Sequence, residues 1–430
     1  MSFLLLLVIL AVLLALGVPI AFGIGLATLA TMLLSIDALP AVTTMAQRMA
    51  SGLDSFALLA IPLFIISGNL MAQGGIAYRL IEFAKSLLGA LPGGLAFVNV
   101  IACTLFGAIS GSAVAAASAV GGFMIPAMKK DGYDKDFSTA VTATAATTGL
   151  LIPPSNILII YAVASGGVSI AALFVAGYLP GMLVALALMV VSAFYARRAG
   201  LQPAARSTMR HVLSTMLHAF PSLLLIVIVI GGIIGGIFTA TEAGAVAVLY
   251  SLFLALAYRE VKLADLPDLL IKSAETTAIV MFLIAVSTAM SWILAYDNIP
   301  TLVSNALLSI SDNPIVLLLL INLALLLVGA FLDMTPAVLI FTPIFLPIAV
   351  DLGMSPLHFG IMLVLNLCIG LCSPPVGSLL FVSSAIGKTS IGAIIRPLLP
   401  MYFAMFAVLM VVAYVPAVSE WLPRVLGLYE

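Results

Sequence analysis

The sequence predicts an all-α polytopic membrane protein made of two related halves. Of its 430 residues, 64% are hydrophobic and only 8% are charged, and the mean hydropathy is +1.31. A double proline inside an apolar run, Pro153-Pro154, recurs 221 residues later as Pro374-Pro375. Because proline lacks an amide hydrogen and collides with the preceding helical turn, each pair is expected to break a helix.

Several apolar stretches are long enough to cross a bilayer. Residues 3–36, 220–238, 274–296 and 314–331 fit a hydrocarbon core of about 30 Å at a rise of about 1.5 Å per residue. The first stretch is preceded by no basic residue and is too long for a cleaved signal peptide. We therefore interpret it as the first transmembrane helix.

The two halves align over more than the prolines. The same shift pairs Pro126 with Pro347, Gly132 with Gly353, Gly149 with Gly370 and Gly166 with Gly387. We assign residues 1–200 to a first repeat, 201–216 to a linker and 217–430 to a second repeat.

The linker region is basic. No acidic residue occurs from 196 to 211, a segment that contains Arg197, Arg198, Arg206 and Arg210. The positive-inside rule therefore predicts that the linker is cytoplasmic.

Each repeat is predicted to contain a re-entrant hairpin followed by a broken helix. The hairpins are placed at about 104–128 and 329–350, and the broken helices at about 138–163 and 357–386. The first hairpin turns at Ser110-Gly111-Ser112 and the second near Asp333. Lipid cannot hydrogen-bond to unwound backbone, so such breaks persist only inside protein or beside a wet cavity. Paired breaks are typical of a transporter binding site.

Asp333 has two interpretations. It precedes an apolar run, where an aspartate can cap the N-terminus of the next helix. An aspartate near the bilayer centre costs about 2.5 to 3.5 kcal/mol on insertion scales and usually faces a cavity. The cost favours a functional role, and the cap is the alternative.

The polar residues around the breaks favour a cation site over a catalytic one. Hydroxyl, amide and carboxylate oxygens are hard ligands that suit sodium, and Gly370 and Gly377 leave room for the backbone to approach. These oxygens belong to Ser110, Ser112, Ser155 and Asn156 at the first break and to Asp333, Thr335, Ser373 and Ser378 at the second. Helix N-termini at the same breaks suit an anionic substrate. Any single serine could instead serve helix packing.

Other chemistries lack the residues that they need. The three histidines form no visible catalytic set, no Gly-rich phosphate loop precedes a strand, and no nucleophile elbow is present, so an enzyme is not expected. Cys103, Cys368 and Cys372 have neither the even number of a disulfide framework nor the spacing of a zinc site. We interpret them as small packing residues.

Four motifs resemble one family, the large membrane subunit of tripartite ATP-independent periplasmic (TRAP) transporters. The resemblance covers essentially the whole chain. Its motifs are Phe64-Ile65-Ile66-Ser67-Gly68, Gly107-Ala108-Ile109-Ser110-Gly111-Ser112, Ile152-Pro153-Pro154-Ser155 and Ser373-Pro374-Pro375-Val376-Gly377. It implies two inverted repeats in a multi-pass protein of the bacterial inner membrane. It further implies sodium-driven uptake by an elevator movement.

The resemblance also implies partners and a substrate class. A soluble periplasmic binding protein would deliver the substrate, and a small membrane subunit would brace the scaffold. Because the chain starts directly with the large-subunit pattern, we expect that subunit to be separate. Sialic acid and C4-dicarboxylates are the expected substrates. The acidic Asp333 favours a hydroxylated sugar acid.

By the same resemblance, Ser110, Ser155 and Asp333 would contact the substrate. Sodium would be held near Gly111, Ser112, Asn156, Thr335, Ser373 and Gly377, as two or more ions. Val376 stands where the first repeat has a serine, so the two half-sites are expected to differ. The alternative is a stand-alone sodium-coupled carboxylate or anion carrier, and a channel or a membrane-embedded enzyme is more distant.

Overall fold

The computed structural model describes residues 2–73, 75–201, 207–374 and 377–429. Every regular element within these ranges is a helix. Within these described ranges, seven helices are long and apolar enough to cross a membrane, or up to eight spans if the bent pair Lys135–Leu151 and Asn156–Ala164 is counted as one. The prediction of an all-α polytopic membrane protein is confirmed.

The first repeat contains ten α-helices and one short 3-10 helix, Phe56–Leu59. The α-helices are α1 (Ser2–Ala15), α2 (Ile20–Ser35), α3 (Ala38–Leu53), α4 (Ala60–Gln73), α5 (Ile76–Leu88), α6 (Gly94–Ser110), α7 (Ala113–Lys130), α8 (Lys135–Leu151), α9 (Asn156–Ala164) and α10 (Ile170–Arg198).

The second repeat also has ten α-helices among the described residues, but its 3-10 helix, Leu263–Asp265, follows its second α-helix and not its third. Its first α-helix begins at Met209, inside the segment 201–216 predicted as the linker. Its α-helices are α11 (Met209–Ile234), α12 (Ala240–Ala257), α13 (Leu266–Tyr296), α14 (Ile299–Leu308), α15 (Pro314–Gly329), α16 (Met334–Asp351), α17 (Pro356–Leu371), α18 (Ser378–Gly387), α19 (Ile391–Tyr414) and α20 (Ala417–Val425).

The repeats interlock at their centres. In the first, α6 and α7 form a hairpin that packs on α8; in the second, α15 and α16 pack on α17 in the same way. Each short helix after a break crosses to the other repeat, so that α9 packs on α16 and α18 packs on α7. We call α6–α10 and α15–α20 the core bundle, and α1–α5 with α11–α14 the scaffold.

The hairpin arms begin earlier than predicted. The first arms are α6 (Gly94–Ser110) and α15 (Pro314–Gly329), not segments that start near 104 and 329. The physical reason is that the apolar residues before each tip continue the same helix. The broken helices lie close to the predicted bounds, as α8 with α9 and α17 with α18.

The N-terminal apolar stretch is two helices, which corrects the prediction of a single first transmembrane helix. The chain turns after α1 at Gly17, which has a φ of +78°, and Pro19 then caps α2. A left-handed glycine ends the first helix, and the proline two residues later, with its fixed φ, suits the start of the next. The two helices pack against each other.

Buried amides join each hairpin to its broken helix. In the first repeat, Asn99 Nδ2 donates to Thr142 Oγ1 at 2.7 Å. In the second, Asn366 Nδ2 donates to Asn322 Oδ1 at 2.9 Å. All four side chains are fully buried. Because lipid offers these groups no partners, such bonds fix the position of the hairpin relative to the break.

Candidate functional site

The tips of both hairpins and the first break meet at one cavity of about 490 Å³. Its lining includes residues from the core bundle and from the scaffold helices α4 and α13. The predicted site residues among them are Ser110, Gly111, Ser112, Asn156, Asp333 and Thr335. Residues far apart in the sequence therefore share one site at the centre of the repeats.

Four helices begin at this cavity. Ala113, Asn156, Met334 and Ser378 line it, and they are the first residues of α7, α9, α16 and α18. Only Ser112 caps its helix, by accepting a hydrogen bond from Ala115 N at 3.2 Å. The N-cap residues Ser155, Asp333 and Gly377 make no side-chain cap bond. Within the described residues, the N-cap side chains of these three helices therefore do not bond to the first amides, and the helix dipoles favour an anion.

Asp333 is exposed to the cavity at the tip of the second hairpin. It holds the N-cap position of α16, but its carboxylate accepts no hydrogen bond from that helix. Asp333 therefore occupies the predicted N-cap position without the side-chain hydrogen bond of a local cap. Its carboxylate is available to a substrate or a cation.

The first hairpin tip approaches the first break closely. Gly111 has a φ of +64°, and a Cβ there would lie 2.9 Å from Asn156 Nδ2. The other amide atom, Asn156 Oδ1, is buried and has no hydrogen-bond partner within the described residues. A buried amide oxygen without a donor carries a desolvation cost that a bound cation would remove.

Ser155 lies outside the cavity lining. It is fully buried, and its hydroxyl donates to Leu150 O at 2.5 Å. That bond satisfies a carbonyl left open by the break. The predicted contact of Ser155 with the substrate remains a prediction, and the structure places the residue as a brace of the unwound turn.

The second break has a different chemistry. Ser373 Oγ bonds to Ile369 O at 2.8 Å and to the hydroxyl of Tyr402 at 2.7 Å, and Ser373 and Gly377 lie outside the cavity lining. Ser378 does line the cavity, and its buried Oγ has no partner among the described residues. Val376, predicted to distinguish the two half-sites, lies outside the described residues.

The two breaks also differ in the helix that packs on them. At the first, a Cβ on Gly181 would lie 2.6 Å from Ile152 Cγ1, so that an isoleucine fills the space over a glycine. The positions 221 residues later are Ser373 and Tyr402, whose hydroxyls bond to each other. Equivalent places in the repeats therefore hold an apolar contact in one and two oxygen groups in the other.

Scaffold residues also line the cavity, and they were not predicted from the sequence. Gly68, Asn69 and Thr276 line the cavity from α4 and α13. A Cβ on Gly68 would lie 2.5 Å from Ser110 O, so the scaffold touches the backbone of the first hairpin tip. The polar Asn69 within the apolar α4 was the available signal.

Comparison with known proteins agrees with this architecture. A family model described as the tripartite ATP-independent periplasmic transporter, DctM component, matches residues 7–418. The chain is 54% identical over 413 residues to the uncharacterized protein YgiK of Salmonella typhimurium, covering 96% of this chain and 95% of that protein.

Two further relatives carry functional names. The C4-dicarboxylate TRAP transporter large permease of Pseudomonas aeruginosa is 42% identical over 388 residues, covering 90% of this chain and 91% of its own. The sialic acid TRAP transporter large permease of Vibrio cholerae is 40% identical over 409 residues, covering 95% of each chain.

A solved structure has a similar fold. The crystal structure of the Alcanivorax borkumensis YdaH transporter aligns with a TM-score of 0.65 and 14% sequence identity, and the match covers 92% of this chain and 90% of that one. At this identity the likeness concerns the fold alone.

Proposed function

This chain belongs to the DctM component family of tripartite ATP-independent periplasmic transporters, and we propose that it carries a small organic acid into the cell by sodium symport. As members of a family of transporter permeases, these proteins are not enzymes. The observation that carries the proposal is the cavity at which two hairpin tips and several uncapped helix N-termini meet.

The substrate we propose is an anion, sialic acid or a C4-dicarboxylate, the classes named for two relatives. The first amides of α9, α16 and α18 supply hydrogen-bond donors for a carboxylate. Asp333 adds an acceptor to the same cavity. An acceptor complements substrate hydroxyls, which supports a sugar acid over a bare dicarboxylate.

Sodium is the proposed coupling ion. The unpartnered oxygens Asn156 Oδ1 and Ser378 Oγ lie in residues that line the cavity, and the backbone is unwound beside both. Hard oxygen ligands at broken helices are typical of sodium sites in transporters. Two ions with one monoanion would yield about 5 kcal/mol at 100 mV and a tenfold gradient, enough for accumulation of a few thousand-fold.

The movement we propose is an elevator, in which the core bundle slides against the scaffold. The support for this movement is that both hairpins and both broken helices pack on one another, as one body within the core bundle. At Gly68 the scaffold meets the hairpin tip at Ser110 O with no side chain between the two backbones.

We propose an inner-membrane location with the linker in the cytoplasm. Three contacts support one basic face: Lys135 Nζ donates to Lys388 O at 2.6 Å, Arg79 pairs with Glu260, and Phe137 stacks on Tyr195 near the end of α10. Lys129, Lys130, Arg197 and Arg198 lie close in the chain to the contacts made by Lys135, Phe137 and Tyr195. The positive-inside rule would place that face in the cytoplasm.

The partners we propose are a periplasmic binding protein and a small membrane subunit, as the tripartite family implies. The test is uptake of labelled sialic acid and of succinate into proteoliposomes that contain the small subunit, with an inward sodium gradient and the cognate binding protein added or omitted. Uptake that requires both sodium and the binding protein is expected. Sodium-driven uptake without the binding protein would favour the stand-alone carrier.

Replacing Tyr402 with phenylalanine is expected to weaken apparent sodium affinity about three- to tenfold. The change removes one hydroxyl beside Ser373 and keeps the aromatic ring, so the packing of α19 is preserved. Sodium dependence of uptake gives the affinity. Tyr414→Phe is the control, because that hydroxyl lies on the same helix but bonds to Ile315 O. Equal sodium dependence in both variants would remove the Ser373–Tyr402 pair from the ion site.

A further inference from the structure

Asn69 stands between the scaffold and the cavity. It follows Gly68 on α4, where the scaffold meets the backbone of the first hairpin tip at Ser110 O. Its side chain is half-buried and lines the cavity. The polar residues of this cavity that were predicted from the sequence all belong to the core bundle. Asn69 is therefore a scaffold group placed against a substrate held by the core bundle.

The hydrogen bonds around Asn69 fix which amide atom is free. Asn69 Nδ2 donates to Ser273 Oγ at 2.8 Å, and Ser273 Oγ donates to Leu269 O at 2.8 Å. A serine hydroxyl has one hydrogen, and the carbonyl of Leu269 uses it, so Ser273 can only accept from the amide. The amide cannot flip without breaking one of these bonds, and Oδ1 accepts no hydrogen bond from any residue that the structure describes.

An available amide oxygen selects its ligand by chemistry. It accepts a hydrogen bond from a hydroxyl or an N–H group, and it offers nothing to a carboxylate. The first amides of α9, α16 and α18, on the core bundle, are donors that suit a carboxylate. A substrate with a carboxylate at one end and hydroxyl or amide donors at the other would satisfy both kinds of group.

We propose that Asn69 is a specificity residue, whose Oδ1 accepts a hydrogen bond from a hydroxyl or amide N–H of a sugar acid substrate. This inference rests on the proposed function, since it assumes that the cavity binds the transported acid. A C4-dicarboxylate without hydroxyls has no donor for Oδ1 at neutral pH. Asn69 therefore discriminates between the two substrate classes. Because it belongs to the scaffold, its contact exists only in the described position of the core bundle.

The experiment compares binding and uptake in wild type and Asn69→Ala. Calorimetric titration of the detergent-solubilised protein with sialic acid is expected to show a Kd about tenfold higher in Asn69→Ala, the loss of about one hydrogen bond. Titration with succinate is expected to change less than twofold. In proteoliposomes the KM for sialic acid should rise while kcat stays within about twofold. Asn305→Ala, on the scaffold helix α14 and exposed, is the matched control.

A second variant separates recognition from packing. Ser273→Ala breaks the same hydrogen bond as Asn69→Ala but keeps the amide oxygen, so its loss of sialic acid affinity should be clearly smaller. Equal losses in the two variants, or equal losses for both ligands, would overturn the proposal. So would a wild type that binds succinate and not sialic acid. If sodium-driven uptake failed while substrate binding was intact, the proposed symport would be contradicted. The binding titrations alone would then decide whether Asn69 is a specificity residue.

Discussion

Asp333→Ala is expected to lower uptake about a hundredfold while the protein remains inserted and folded. The carboxylate faces the cavity, and a hydrogen bond to a charged group contributes about 1.5 to 3 kcal/mol, a factor of roughly 10 to 100 in affinity. Folding should be spared because the carboxylate caps no amide of α16. Uptake into proteoliposomes and thermal unfolding in detergent are the measurements. Ser110→Ala is expected to act in the same direction with a smaller effect.

The controls for Asp333 test charge and position separately. Asp351→Ala removes an exposed carboxylate from the last residue of the same helix and should leave uptake unchanged. Asp333→Asn keeps the size and one acceptor oxygen. If the charge binds sodium, this variant should lose sodium dependence as severely as alanine does. Wild-type uptake in both Asp333 variants would remove the residue from the site.

Local signals were enough to predict the centre of the molecule. A double proline or an aspartate inside an apolar run has no ordinary place in a transmembrane helix, so Pro153-Pro154 and Asp333 marked a break and a tip directly. The predicted tip residues Ser110, Gly111 and Ser112 do line one cavity with Asp333. The spacing of these residues in the two repeats was enough to predict that they lie at hairpin tips, and no knowledge of packing was needed.

What could not be predicted depends on long-range packing. Asn69 gains its orientation from Ser273, 204 residues away, and nothing in the sequence marks that pair. Ser155 could turn its hydroxyl to the cavity or to its own backbone, and the open carbonyl of Leu150 decides the matter. The residues at which the hairpins start were predicted wrongly because an apolar hairpin helix and an apolar transmembrane helix have the same composition.

Gly149→Ala is the second large effect. Gly149 lies on α8 where it crosses the hairpin arm α6, and a Cβ there would lie 2.5 Å from Gly107 Cα and 2.7 Å from Ala108 N. These atoms are backbone, so no side chain can rotate away and the arm itself must move. Overpacking of this kind costs about 1 to 3 kcal/mol. We expect a lower unfolding temperature and at least a tenfold loss of uptake.

The second repeat makes the same contact, since a Cβ on Gly370 would lie 2.7 Å from Gly329 Cα. Gly370→Ala should therefore reproduce the defect, this time by displacing the tip that carries Asp333. Gly122→Ala on α7 is the matched control, because nothing lies within 4 Å of its added Cβ. Alanine favours a helix over glycine by about 1 kcal/mol, so this control should be neutral or stabilising. If all three variants behaved alike, the glycine contacts would not set the hairpins. A defect confined to Gly149 and Gly370 would mean that backbone contact between hairpin and broken helix positions both tips over the cavity.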